Sequence, residues 1–277
     1  MSDSHNFLYL VAIFFKKYGG YYILIAGSAW LLAYFIFRRR WSVRKINTHW
    51  PKMFEVWRES RWSLLTVIIY AIVTAIMSGA IRRGWGKAYF NISDYGWGWF
   101  VMSIVIAIVL HDTYFYWIHR LMHQKRIYRW FHSVHHLSAN PSPWAAYAFS
   151  PLEALAHAGI APLIFWLIPI HPLAFVIFMV FGLTWNIVVG HTGFEFFPRW
   201  WLNSWLGKCF ITPTHHIMHH ESFGGNYGHY FVFWDRLMGT CHQEYQKRFH
   251  EVVGREQHQA YAKDPHVSSR STADELR

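Results

Sequence analysis

Cysteine and acidic residues are scarce in this chain: 2 Cys and 15 Asp plus Glu among 277 residues, against 26 Lys plus Arg and 20 His. Cys209 and Cys241 stand alone without a CxxC spacing, which excludes a zinc ribbon, an iron–sulfur cluster and a dithiol redox centre. No GxGxxG and no phosphate-binding loop occurs, so the chain offers no nicotinamide, flavin or nucleotide site of the kinds those motifs mark. HExxH is absent as well, and Glu153 with His157 is ExxxH, not the ExxH of soluble di-iron bundles. The scarcity of acid leaves a net charge of +11. Its Lys and Arg are interleaved with Trp and bracket apolar runs instead of forming a basic domain, which argues for anionic headgroups as their partner and against nucleic acid.

Apolar residues make up 53% of the chain and aromatics 20%, with 17 Trp, too much for an ordinary soluble surface. Residues 22–37, 62–81 and 97–117 read as membrane spans, and 152–168 with 172–189 as a membrane hairpin turned at Pro169-Ile170-His171-Pro172. Residues 7–15, closed by Lys16, Lys17 and a Gly-Gly pair, are too short to cross alone. They read as an interfacial helix, and without a basic start or a small-residue cleavage site they do not read as a signal peptide. The Trp and Tyr excess suits interfacial belts. The segment between the first two spans carries Arg38, Arg39, Arg40, Arg44, Lys45, Lys52, Arg58 and Arg61, whereas the next loop has only Arg82, Arg83 and Lys87. The positive-inside bias places the first of these in the cytosol. Counting spans onward then brings residue 119 and residue 191 to the same cytosolic side, because the hairpin between them crosses an even number of times.

The spacing that matters most is His-x-x-His-His, at His132, His135 and His136 and again at His216, His219 and His220, preceded by His-x-x-x-His at His119 and His123. On a helix, positions i, i+3 and i+4 share one stripe, so each triplet is expected to aim three imidazoles at one point. Eight or more neutral imidazoles turned inward leave buried nitrogens unpaired unless a cation accepts their lone pairs. Imidazole suits Fe, Zn, Cu and Ni alike, but eight to ten His exceed one structural or catalytic zinc and divide into two metals. Two adjacent irons are what dioxygen activation toward an unactivated C–H bond requires.

The runs HDTYFYWIHRLMHQKRIYRWFHSVHH, VVGHTGFEFFP and THHIMHHESFGGNYGHYFVFWDRLMGT together resemble the fatty acid hydroxylase/sterol desaturase superfamily of membrane-bound non-haem di-iron oxygenases. The resemblance spans about residues 112–240. It implies an all-α integral membrane bundle of about four to six helices with a cytosolic helical cap carrying the histidine cluster. It also implies two iron ions, dioxygen as co-substrate and electrons from a separate donor, a ferredoxin or small cytochrome with its reductase. By position, the implied ligands are His119, His123, His132, His135, His136, His216, His219 and His220, with His191 in the GHTG step as a ninth.

Four further residues are candidates for an additional ligand or a supporting role. His215 is i, i+4 from His219; Asp112 returns to the helical face of His119 and His123, where a carboxylate would orient an imidazole; His157 lies one turn into a span and either reaches the metals or pairs with Glu153; His111 suits a supporting or pore-lining place. Many members of the family have His where this chain has Ser150, and His157 is the possible substitute. The Asn226-Tyr227-Gly228 and Trp234-Asp235-Arg236 steps read as a turn and a cap salt bridge. His5, His49, His171, His242, His250, His258 and His266 read as surface residues.

The expected organisation is N-terminal membrane helices with a basic loop over 1–110, a histidine-box region over 111–250, and a polar, partly disordered tail over 251–277. The expected activity is hydroxylation or desaturation of a fatty acyl, sphingolipid or sterol-like lipid, with the site facing the cytosol and a bacterial inner membrane favoured over endoplasmic reticulum. Ether-lipid cleavage by an enzyme of the same superfamily is the alternative within that class. A histidine-rich metal transporter or metal-binding membrane protein is the non-catalytic one, disfavoured because transporters place ligands at the bilayer midplane. Oligomeric state does not follow from the sequence.

Overall fold

A computed structural model describes residues 3–263, and its architecture is helical throughout: among them there are isolated bridges but no named strand. Helix α1 (Asp3–Leu31) runs into a π turn (Leu32–Ile36), α2 is Met53–Arg82, α3 Gly96–Met122, α4 Pro151–Ala158, α5 Ile160–Leu167, and α6 (Pro172–Trp185) ends in a second π turn, Asn186–His191. Four of these elements are long and apolar enough to cross a membrane, Phe7–Ile36, Met53–Arg82, Gly96–Met122 and Pro172–His191. Pro151–Leu167 is a shorter apolar arm that makes the hairpin with α6. The chain is thus an all-α membrane bundle, as the sequence led us to expect.

One expected break is absent. Lys16, Lys17, Gly19 and Gly20 lie inside α1, so residues 7–15 belong to the first span and are not a separate interfacial helix. Two glycines cost a helix about 2 kcal/mol together, but packing on α2 outweighs that. Tyr18 Oη lies 2.9 Å from Thr74 Oγ1, the Tyr18 and Tyr70 rings meet edge to face, and a Cβ on Gly19 would already touch Val67.

Helix α1 packs against α2 around Tyr22, Ala26, Val67 and Tyr70, while α3, α5 and α6 share a second apolar core around Phe100, Ala107, Ile164, Phe175 and Phe178. The hairpin turns at Ile170, bridged to Ala88, and His171 Nδ1 accepts the Leu173 amide at the start of α6. The basic segment after α1 sits at the histidine end of the bundle. Arg58 donates to the Leu137 carbonyl, Arg44 to that of Phe197, and Lys45 bridges Phe194. Helices α7 (Pro213–Ser222) and α8 (Tyr245–Lys263) complete that end, joined through Met218, Tyr245, Phe249 and Val253. Of the tail expected to be partly disordered over 251–277, residues 251–263 continue α8 and 264–277 lie outside the described residues.

Candidate metal centre

Four segments deliver nine imidazoles to one end of the bundle. Helix α3 brings His119 and, as its C-cap, His123; the one-turn helix Ser133–His136 and its N-cap bring His132, His135 and His136; the π turn brings His191; and α7 brings His216, His219 and His220. Pro213 opens α7 at a position where no amide is needed, and Glu195 accepts the Thr214 amide and hydroxyl at 3.0 and 2.7 Å, fixing that helix start. The π turn has its own use: the His191 Nδ1–H donates to the Asn186 carbonyl five residues back at 2.8 Å.

The imidazoles form two groups, His119, His123, His132, His136 and His219 in one and His135, His191, His216 and His220 in the other, with ligand atoms within 4.8 Å of one another in each. Each HxxHH triplet is therefore divided between two points, where the spacing alone suggested one. At about 100° per residue the i and i+4 side chains stand about 40° apart, but i+3 falls on the other side of i and about 100° from i+4. His132 and His136 accordingly share one group and His135 turns to the other; His216 and His220 share the second and His219 turns to the first. The groups adjoin, with the His136 and His220 rings 5.0 Å apart.

The facing atoms are the Nε2 nitrogens. His119 and His132 approach to 2.8 Å, His136 and His219 to 3.0 Å, His123 and His219 to 3.2 Å, and in the second group His220 stands 3.2 Å from His216 and 3.3 Å from His191. Metal–imidazole bonds of about 2.1 Å place adjacent nitrogens about 3.0 Å apart at a right angle. The tautomers decide whether a cation is needed. His119 Nδ1–H donates to the Tyr227 carbonyl at 3.0 Å, His219 Nδ1–H to that of Gly225 at 2.7 Å, and His132 Nδ1–H to the Glu153 carboxylate at 2.5 Å. A neutral imidazole carries one proton, so these three Nε2 atoms all present lone pairs, and those of His119 and His132 face each other. A cation between them satisfies that arrangement. Burial, followed by repulsion from neighbouring imidazoles, holds His132, His135, His216 and His220 far below the ordinary histidine range, while burial pushes His219 down to about 4. The set is uncharged at neutral pH and suited to receive metal.

The four supporting candidates stand outside both groups. Asp112 does not orient an imidazole: its Oδ1 accepts the amides of Tyr230 and Phe231 at 2.7 and 3.1 Å, pinning the loop that carries Tyr227. His215 is buried 3.6 Å from Asp235, and burial lowers it to about 3. His157 Nε2 stands 3.6 Å from Glu153, and Ser150 caps α4 by accepting the Glu153 amide and donating to the Phe131 carbonyl. His111 contacts Tyr230 Oη at 2.9 Å and lines a cavity. Asp235 fixes the 226–228 turn through the amides of Tyr227 and Gly228, with no salt bridge to Arg236 among the described residues.

Two partners escaped the sequence reading. Glu153, fully buried, orients His132, and the signal available was a lone acid in an apolar stretch, which must find a partner. His229, in the Gly228-His229-Tyr230 step, has no ligand spacing to mark it, yet it is buried with its ring 4.3 Å from that of Phe115. Replacing Glu153 by Ala is expected to lower metal retention, measured against a competing chelator, by about 10–100-fold. Glu153→Gln, which keeps a carbonyl for the imidazole N–H, should fall between. Unchanged retention in the Ala variant would remove Glu153 from the site.

A cavity leads toward this end. Its inner part, about 70 Å³, is lined by His111, Phe115, Phe149, His157 and His229, and it shares Tyr18, Thr74, Tyr147 and Phe175 with an outer part of about 480 Å³ whose far rim includes Lys17 and Arg82. Phe115 lies 5.0 Å from the His119 ring and Phe149 5.1 Å from that of His135, so the inner end abuts both groups.

Residues 104–240 match the fatty acid hydroxylase family. Curated relatives extend the likeness: a Delta(7)-sterol 5(6)-desaturase of Aspergillus fumigatus is 32% identical over 75% of this chain and 68% of its own length, and lathosterol oxidase of Rattus norvegicus is 31% identical over 80% and 71%. The chain belongs to the fatty acid hydroxylase/sterol desaturase superfamily. A second Delta(7)-sterol 5(6)-desaturase, from Gibberella zeae, is 31% identical over 80% of this chain and 66% of its own length, so the chain spans about two thirds of the length of such relatives. No solved structure matches. Membership makes this a membrane protein of an oxidoreductase family whose relatives are named for sterol oxidation. These relatives are fungal and mammalian, and they lend no support to the bacterial membrane favoured from the sequence.

Proposed function

We propose that the chain is a di-iron oxidoreductase that uses dioxygen and electrons from a separate protein to hydroxylate or desaturate a membrane lipid. The observation that carries this reading is the pair of Nε2 groups, nine imidazoles set against the inner end of a largely apolar cavity. His119, His123, His132, His136 and His219 would hold one iron, and His135, His191, His216 and His220 the other. Bound there, the two irons would supply the dioxygen chemistry that oxidises an unactivated C–H bond. The chain's own part is to keep nine lone pairs aimed inward. Glu153 and the carbonyls of Tyr227, Gly225 and Asn186 do this for His132, His119, His219 and His191, while Phe115 and Phe149 line the cavity beside His119 and His135.

The positive-inside bias is what supports a cytosolic histidine end, since the basic segment that carries Arg58 packs there. Placement of the groups at and beyond the ends of spans, not at mid-span, favours an enzyme over a transporter. Protein expressed with iron is expected to carry close to two metal ions per chain by elemental analysis. Lipids from cells containing it should show a species with one oxygen gained or two hydrogens lost relative to cells without it. A single metal in fully active protein would overturn the di-iron assignment.

A further inference from the structure

We infer that the outer part of the cavity is a binding site for an anionic phospholipid of the leaflet farther from the histidines, with one acyl chain in the pocket and its phosphate held by Lys17 and Arg82. Three helices wall this pocket: Phe14 and Lys17 come from α1, Ser78 and Arg82 from α2, and Pro172 and Val176 from α6. Tyr21 on α1 and Val176 on α6 line it and are themselves exposed, so the pocket opens sideways between those two helices, toward the bilayer. Helix α2 starts at the histidine end, where Arg58 meets the Leu137 carbonyl, and finishes at Arg82; the hairpin turn bridged to Ala88 lies at that far end.

Lys17 is the more telling of the two cations. Tyr18 meets Thr74 across the antiparallel α1 and α2 pair, which sets Lys17 about opposite residue 75, about seven residues and about 10 Å short of the level of Arg82. Arg82 closes the apolar run of α2, so Lys17 starts within the hydrocarbon layer, and it is exposed there. A cation at that depth is costly unless it reaches the surface or meets an opposite charge, and such residues mark ligand sites. Neither Lys17 nor Arg82 has a hydrogen bond or ion pair among the described residues, and no Asp or Glu lines the pocket. The opposite charge is one that a ligand would bring. A phosphodiester suits the place better than a carboxylate, because it stays ionised at neutral pH where a carboxylate drawn to this depth takes up a proton instead. A guanidinium pairs with two phosphate oxygens at once, and an ammonium adds a point charge. The rest of the wall, Met77, Ile81 and Met179 among it, is apolar and encloses about 480 Å³, which fits a chain and not a free anion. Because the outer and inner parts share Tyr18, Thr74, Tyr147 and Phe175, a phospholipid seated here lies across the bilayer-side mouth of the inner cavity, and whatever enters from that side must displace it. None of this depends on the oxidation chemistry proposed above.

The test is lipid binding by the purified, metal-loaded chain in detergent micelles, read as the shift of its thermal unfolding midpoint with lipids added at equal mole fraction. Phosphatidylglycerol is compared with phosphatidylcholine of the same chains, with oleate as the carboxylate arm and glycerol phosphate as the headgroup without chains. Phosphatidylglycerol should bind about tenfold or more tightly than phosphatidylcholine, since each basic residue contributes about a fivefold preference for anionic lipid, and more tightly than oleate. Glycerol phosphate should leave the midpoint unmoved. Lys17→Gln and Arg82→Gln, at exposed positions and made separately so that one reads out if the other misfolds, should each cut the preference about fivefold. Lys16→Gln, one residue from Lys17 but outside the pocket wall, should keep it. Equal binding of the two phospholipids, tighter binding of oleate, a shift with glycerol phosphate alone, full preference in both folded pocket variants, or the same loss from Lys16→Gln as from Lys17→Gln would overturn the inference.

Discussion

Replacing His219 or His135 by Ala is expected to lower turnover more than about a hundredfold, beyond what loss of a supporting partner costs, and to bring the metal content of each variant toward one ion per chain. The two residues belong to different groups, His219 with His119, His123, His132 and His136, and His135 with His191, His216 and His220. Loss of either metal should therefore stop a reaction that needs both. The fold should survive, because the bundle is held by apolar contacts away from the imidazoles, Tyr22, Ala26 and Val67 on one side and Ala107, Ile164 and Phe178 on the other. Membrane insertion and the yield of purified protein are the controls. His49→Ala, at an exposed position outside both groups, should leave turnover within about twofold, as surface substitutions usually do. Equal damage from His49 and His219 would show that the division between clustered and surface histidines is wrong.

Turnover is expected to be absent when purified protein receives lipid, dioxygen and reduced nicotinamide alone, and to appear when an acidic ferredoxin or small cytochrome and its reductase are added. The sequence has no dinucleotide-binding glycine pattern and no cysteine cluster, and the proposed function therefore takes its electrons from another protein. The proposed donor would meet a basic surface. Lys125, Arg126 and Arg129 are exposed on the connection between His123 and His132, and Tyr128, in the same stretch, places its ring 5.7 Å from His123 and 6.0 Å from His136. Changing all three cations to Glu should slow donor-dependent turnover about tenfold at low ionic strength and flatten its salt dependence, because charge steers such encounters. Direct oxidation of added metal-reducing dye should be unaffected. Activity with nicotinamide and no added protein would point to a cofactor site in the chain itself.

Much of this was legible in the sequence because it rests on local periodicity. Apolar run length bounded the spans, and the turn residues Pro169 and Pro172 marked the hairpin between the second and third boxes. The nine residues that converge are the nine named from spacing and resemblance. Where local signals were weak they misled: Lys16, Lys17, Gly19 and Gly20 look like a boundary, but contact with Val67, Tyr70 and Thr74 carries α1 straight through. Asp112 has the spacing to orient an imidazole, yet it serves amides more than a hundred residues away, a pairing that no local pattern encodes.

The sequence by itself therefore determined which imidazoles are available, since helical spacing is a property of the chain. Only the tertiary structure decided how they divide, because helical spacing sets the angle between i+3 and i+4 but not which neighbour each one faces. It also decided which tautomer each ring adopts, through Glu153 and the carbonyls of Tyr227, Gly225 and Asn186, groups brought in from segments far apart in sequence. The inner cavity lined by His111, His157, His229 and Tyr147 belongs to the same category: four helices and loops must pack before those residues come together.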